Sequence, residues 1–80
     1  MTWKEFEKLT KNLEPTVGMW DVGIIDITDE NEYSTQGDIP DEDYTWRDFY
    51  EWLEEDCKEM DLVIENIRVD YVEYAGELDY

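Results

Sequence analysis

No histidine occurs in this chain of 80 residues, which holds one cysteine, Cys57, and one serine, Ser34. Without those side chains neither a Ser-His-Asp nor a Cys-His arrangement can be assembled, and no imidazole is available as a general base. Hydrolase-type catalysis is all but excluded, and a non-enzyme is expected. A lone cysteine also excludes an internal disulfide and a cysteine zinc site, the staples on which many very small domains rely. Stability must come from packing. No apolar run approaches the roughly 18 residues of a membrane span, and Met1 to Thr10 lacks the charged-then-apolar pattern of a signal peptide, so a cytoplasmic protein is expected. The four glycines, Gly18, Gly23, Gly37 and Gly76, are scattered and lack lysine partners, which removes the phosphate cradle as well.

Basic residues are the other scarcity: 6 Lys+Arg stand against 24 Asp+Glu, a formal net charge of −18. Nucleic acid and anionic membranes repel such a chain, so no direct nucleic-acid or membrane partner is expected. The charge also opposes compaction, and solubility alone asks for a magnitude of only about 2 to 8 in a small domain. What the chain does have is apolar material: 41% hydrophobic residues, including four Trp, six Tyr and two Phe. That is too much core-forming surface for a disordered acidic tail. One small domain over residues 1–80 is expected, burying about 60% of the surface of its unfolded chain and leaving little room for an enclosed substrate pocket.

Thr2-Trp3-Lys4-Glu5 has the form of a capping box, and Trp3, Phe6, Leu9 and Leu13 follow at helical spacing, predicting a helix over 3–13 that Pro15 stops. Val17 to Thr28 is rich in β-branched and aromatic residues and contains Gly18 and Gly23, which predicts a strand. Asp29-Glu30-Asn31-Glu32 is turn chemistry, Tyr33 to Gln36 reads as a short returning strand, and Gly37 to Tyr44, with Pro40, reads as a loop. A second capping box at Thr45-Trp46-Arg47-Asp48 precedes Trp46, Phe49, Tyr50, Leu53, Cys57 and Met60 on one helix face. From Leu62 to Tyr74 alternation predicts strand, with a turn or bulge near Asn66, and 75–80 reads as a tail. The fold class is therefore α+β: two amphipathic helices on a small, largely antiparallel sheet, in the order helix-strand-strand-helix-strand. Both helices begin T-W-basic-acid-F, which is either a duplicated α-β unit or the same capping physics used twice.

Motifs for specific chemistry are weak. Cys57 lies on the apolar stripe of the second helix with no cation to activate it, and reads as core. Asp29-x-Asn31-x-Tyr33 begins like a calcium loop, but Ser34 stands where glycine is required and Pro40 where the bidentate glutamate belongs. No metal and no cofactor are expected. Paired carboxylates suit glycosidase chemistry only in a cleft able to hold sugars, which a domain this small rarely forms.

The informative pattern is unneutralised charge. Between Asn12 and Trp46 there is no basic residue, while Asp29, Glu30, Glu32, Asp38, Asp41, Glu42 and Asp43 all fall there. On the second helix Glu51, Glu55 and Glu59 recur at i, i+4, i+8, about 6 Å apart along one edge. Such rows weaken a helix by about 0.2 to 0.5 kcal/mol per pair, with only Lys58 near enough to offset them. Trp52 lies about 110° from the centre of the apolar stripe, at about 100° per residue. It is either an exposed anchor, joined by Tyr44 or Tyr33, or is packed under a strand edge. The ten acids named here, together with Trp52, form the candidate partner-binding set.

In length, composition and its mix of acid with aromatic residues, the chain resembles the small DNA-mimic inhibitors encoded by phages and mobile elements, notably anti-CRISPR and anti-restriction proteins. The resemblance spans the whole chain and is carried by composition, with no diagnostic motif. It implies a non-catalytic blocker that occupies the basic DNA-binding groove of a bacterial defence nuclease or effector complex, where cationic side chains normally contact DNA. The alternative from the same electrostatics is an acidic antitoxin or immunity protein that plugs one basic toxin or nuclease. An isolated sheet edge in so small a domain also leaves homodimerisation open.

Overall fold

Both helix starts close as spelled. In the computed structural model, which describes residues 1–78, the Glu5 amide donates to Thr2 Oγ1 at 3.3 Å and the Thr2 amide donates back to Glu5 Oε1 at 3.2 Å. At the second box the Asp48 amide donates to Thr45 Oγ1 at 3.2 Å and the Thr45 amide to Asp48 Oδ2 at 3.0 Å. Each box satisfies amides that a helix start otherwise leaves free. The elements that follow are α1 (Trp3–Thr10), β1 (Gly18–Asp26), β2 (Glu32–Ile39), α2 (Trp46–Glu59) and β3 (Ile67–Gly76), with a 3-10 turn over Ile64–Asn66 before β3. The α+β class and the element order match the sequence reading.

The strands form one antiparallel sheet in the order β2-β1-β3, so β1 is central and β2 and β3 are edges. Alternation along β1 turns Trp20, Val22 and Ile24 toward the core, where they join Ile39 of β2 and Ile67 and Val69 of β3. Both helices cover that face. Phe6 of α1 stacks on Phe49 of α2 with ring centroids 6.2 Å apart, and Trp20 meets Trp46 edge-on at 5.0 Å. Phe6, Phe49, Leu53 and Cys57 are fully buried, so each helix contributes one apolar stripe to a single core. The opposite sheet face is covered by no helix or strand of the described residues. No helix of the described residues is long and apolar enough to cross a membrane.

Four expectations are corrected. First, α1 ends at Thr10 rather than residue 13, and Leu9 and Leu13 are exposed. The Thr10 hydroxyl turns back to the Phe6 carbonyl at 3.0 Å, and the Trp46 indole takes the Leu13 carbonyl at 2.8 Å. Those bonds, with the bias of the residue before Pro15 against helix, draw the chain out of helical register. Second, β2 runs through Gly37 to Ile39 instead of breaking at Gly37. The glycine is a seat for an aromatic ring: a Cβ there would lie 2.6 Å from Cζ3 of Trp52. Third, β3 starts at Ile67 after the 3-10 turn, and the register slips once at Asp70 and again near Ala75. Fourth, β3 continues through Ala75 and Gly76, which the expected tail placed outside the sheet; Asp79 and Tyr80 of that tail lie outside the described residues.

Candidate functional site

The six cations are unevenly placed. Lys4, Lys8 and Lys11 belong to α1 and its C-terminal cap, while Arg47 and Lys58 sit on α2. Arg68 is the second residue of β3 and, with Glu5, Lys8 and Leu9, lines a cleft beside α1. Two ion pairs form among the described residues, Arg47 with Glu51 at 3.7 Å and Lys58 with Glu55 at 3.2 Å. Both cations are thus spent on the acidic row of α2. Sequence spacing credited Lys58 alone with offsetting that row, and the Arg47 contact corrects it. Both pairs are well exposed and add little to stability, but they reduce the charge that Glu51 and Glu55 present. Glu59 is exposed and unpaired among the described residues.

Trp52 is half-buried, its ring seated on Gly37 and 5.0 Å from that of Phe49. Asp56, one turn further on, accepts a 2.7 Å hydrogen bond from the Thr35 hydroxyl, so this side of α2 is pinned to β2. Tyr33 and Tyr44 are half-buried against the same core. The reading of Trp52 with either tyrosine as an exposed anchor is therefore replaced by the alternative, packing against a strand edge.

The acids of the middle segment flank β2 at both ends. Asp29 and Glu30 are in the β1–β2 turn, where Asp29 Oδ1 accepts from the Asn31 amide at 3.0 Å. Asp41, Glu42 and Asp43 are exposed between β2 and α2, with Asp41 Oδ1 accepting from the Asp43 amide at 3.0 Å. Where β1 ends, Thr28 donates from its hydroxyl and its amide to Asp26 Oδ1 at 2.6 and 2.9 Å. These bonds, the hydroxyl's first, hold the Asp26 carboxyl below the usual aspartate range. Glu32 and Asp38 stand at the two ends of β2 on the open side of the sheet. Glu51, Glu55 and Glu59 lie along the helix instead, so the predicted set falls on two surfaces rather than one.

The open sheet face is what sequence reasoning missed. Since Trp20, Val22 and Ile24 point inward, Met19, Asp21, Gly23 and Ile25 point outward. Register then sets Gln36, Asp21 and Glu73 in one row across the sheet, Ser34, Gly23 and Tyr71 in the next, and Glu32, Ile25 and Arg68 in a third. Asp70 is the extra residue of the bulge between Val69 and Tyr71. Asp21 and Glu73 are directly opposed like charges, an arrangement that costs stability in a sheet. Asp21 receives a 2.8 Å hydrogen bond from Gln36 Nε2, and none of Asp21, Glu32, Asp38, Asp70 and Glu73 has an ion-pair partner among the described residues. Alternate residues on one strand face are about 6.6 to 7 Å apart, so these carboxylates form a spaced array rather than a clump. The signal was the acidic out-facing set of β1 and β3, hidden by the bulge that shifts the phase of β3 at Asp70.

No group of three or more His, Cys, Asp or Glu able to hold a metal ion exists among the described residues. Burial, and secondarily the neighbouring Asp56, push the Cys57 thiol up to about 11, so it remains a protonated core side chain near neutral pH. No family model, curated protein or solved structure matches the chain.

Proposed function

We propose that this protein is a non-catalytic inhibitor that mimics nucleic acid and occupies the basic DNA-binding groove of a host defence protein, such as a CRISPR effector or a restriction enzyme, in the bacterial cytoplasm. The observation that supports it is the open sheet face, on which carboxylates are set at regular spacing on a rigid scaffold, with Arg68 the one cation in their rows and no ion pair to any of them among the described residues. A fixed array of anions is what Lys and Arg side chains aligned to grip phosphates would meet in place of DNA. Three of the six cations are gathered on or beside α1, on the far side of the sheet from that face. The resulting asymmetry would steer a basic partner toward the open face and speed its encounter, an effect that salt suppresses.

The test is capture from a nuclease-treated bacterial lysate on immobilised protein, eluted in rising salt. The reading expects a DNA-handling protein that leaves at moderate salt and is displaced by added DNA. Retention of a single toxin-like protein indifferent to DNA would move the assignment to an immunity protein, and an empty column would reject both.

A further inference from the structure

Beside Tyr71 the open face is indented by a cleft of about 250 Å³, lined by Gly23, Ile25, Glu32, Ser34, Asp70 and Tyr71, among others. Its position follows from the sheet. Gly23 has no side chain, and the Tyr71 ring lies down on it so closely that a Cβ at Gly23 would overlap the ring. With the ring flat on the strand, the surface between it and β2 is left low, floored by Gly23 and Ser34. Glu32 borders the cleft from β2 and Asp70 from the bulge of β3, both exposed and neither in an ion pair among the described residues. Tyr71 is itself 38% exposed, so the ring presents a face to solvent.

We propose that this cleft receives an arginine side chain of the basic partner, and that the open sheet face, rather than the α2 edge, is the centre of the docking surface. The inference deepens the nucleic-acid-mimic reading and rests on it. A guanidinium is planar, weakly hydrated and supplied with five donors, so it can lie over an aromatic face while its N–H groups reach carboxylates at the side. The cleft offers that combination: a tyrosine ring with a carboxylate on each strand beside it. A lysine ammonium, compact and strongly hydrated, would use the charges but gain less from the ring. The chain's own Arg68 stands in the outer row beside Ile25 and Glu32, but it forms no ion pair among the described residues and is not part of the cleft's lining. The α2 edge offers no equivalent, since its aromatic, Trp52, is turned onto Gly37 and two of its three glutamates already hold cations.

The experiment is a titration of ¹⁵N-labelled protein with a hexa-arginine peptide, with hexalysine as the comparison. Amide shifts should concentrate at Gly23, Ile25, Ser34 and Tyr71, and hexa-arginine should bind more tightly than hexalysine by about two- to fivefold. Tyr71→Leu, which keeps an apolar cover on Gly23, should erase that preference, and Glu32→Gln with Asp70→Asn should weaken both peptides several-fold. Shifts centred on residues 51–59, or equal affinities unchanged by Tyr71→Leu, would overturn the proposal. The wild-type shift map decides the matter even where a variant folds poorly. If lysate capture yields a DNA-handling protein while the peptide maps to α2, this inference fails and the mimic reading stands. If capture fails, the mimic reading fails first.

Discussion

Replacing Gly37 by alanine is predicted to destabilise the protein although alanine is the better strand residue. The backbone at Gly37 carries no positive φ, so the side chain itself decides the outcome. Its Cβ would sit 2.6, 2.8 and 2.9 Å from Cζ3, Cη2 and Cε3 of Trp52, against ordinary contact at 3.4 Å or more. The ring must retreat by most of an ångström. It cannot move inward, because Phe49 lies behind it fully buried and stacked on Phe6. Outward movement sacrifices its contact with Phe49. Overpacking of this kind costs about 1 to 3 kcal/mol, and removing a strand glycine returns about 0.5 to 1 kcal/mol. A net loss of about 1 kcal/mol is expected, a fall in Tm of about 4 to 8 °C for a domain of this size. In a Trp52→Leu background the clash disappears and the same substitution should become neutral or stabilising, giving a coupling of about 1 kcal/mol or more in a double-mutant cycle. Thermal and urea melts of the four proteins measure it. A Gly37→Ala protein as stable as the parent, or a cycle with no coupling, would refute the role assigned to the Trp52 seat.

Other outcomes follow from single contacts. Thr2→Ala and Thr45→Ala each remove the acceptor of a capping box and should each cost about 1 kcal/mol by urea denaturation, additively because the boxes share no partner. Cys57 should resist iodoacetamide at pH 8 in the native protein and label at once in denaturant, since the thiol is fully buried and raised to about 11; rapid native labelling would contradict its core assignment. The Asp26 carboxyl is held below its usual 3.8 by Thr28, so its contribution to stability is full above that value and is lost as pH falls through the lower folded value. The stability difference between the parent and Asp26→Asn should therefore shrink on acidification below pH 3.8, and a difference that grew would reverse the sign argued here.

Much of this fold was legible because its signals are local. Thr2 with Glu5 and Thr45 with Asp48 name both helix starts within four residues, and both boxes form as written. Strand β1 could be read from its β-branched residues and placed at the centre once two partners were found for it. What escaped the sequence depends on contacts between distant positions. Gly37 reads as a breaker until Trp52, fifteen residues later, is known to cover it. Leu9 and Leu13 fit a helical stripe, but Trp46 takes the Leu13 carbonyl and the stripe ends early. The α2 row of Glu51, Glu55 and Glu59 was visible at fixed spacing, whereas the array of Asp21, Asp70 and Glu73 exists only through register. One bulge at Asp70 decides which β3 side chains stand beside Asp21 and Gly23, and no local residue announces it.

That array carries the functional account, and the direct test is displacement of DNA from its binder. A fluorescent duplex bound to the DNA-handling protein recovered by capture is titrated with this protein, and polarisation is followed at several salt concentrations. The account predicts displacement complete at one equivalent per groove at low salt, weakening steadily as salt rises, with no binding of the duplex by this protein alone. Charge reversal at Asp21 and Glu73 should impair it more than reversal at Glu51 and Glu55. A duplex that stays bound at saturating protein, or a displacement indifferent to salt, would contradict the claim that this surface stands in for nucleic acid.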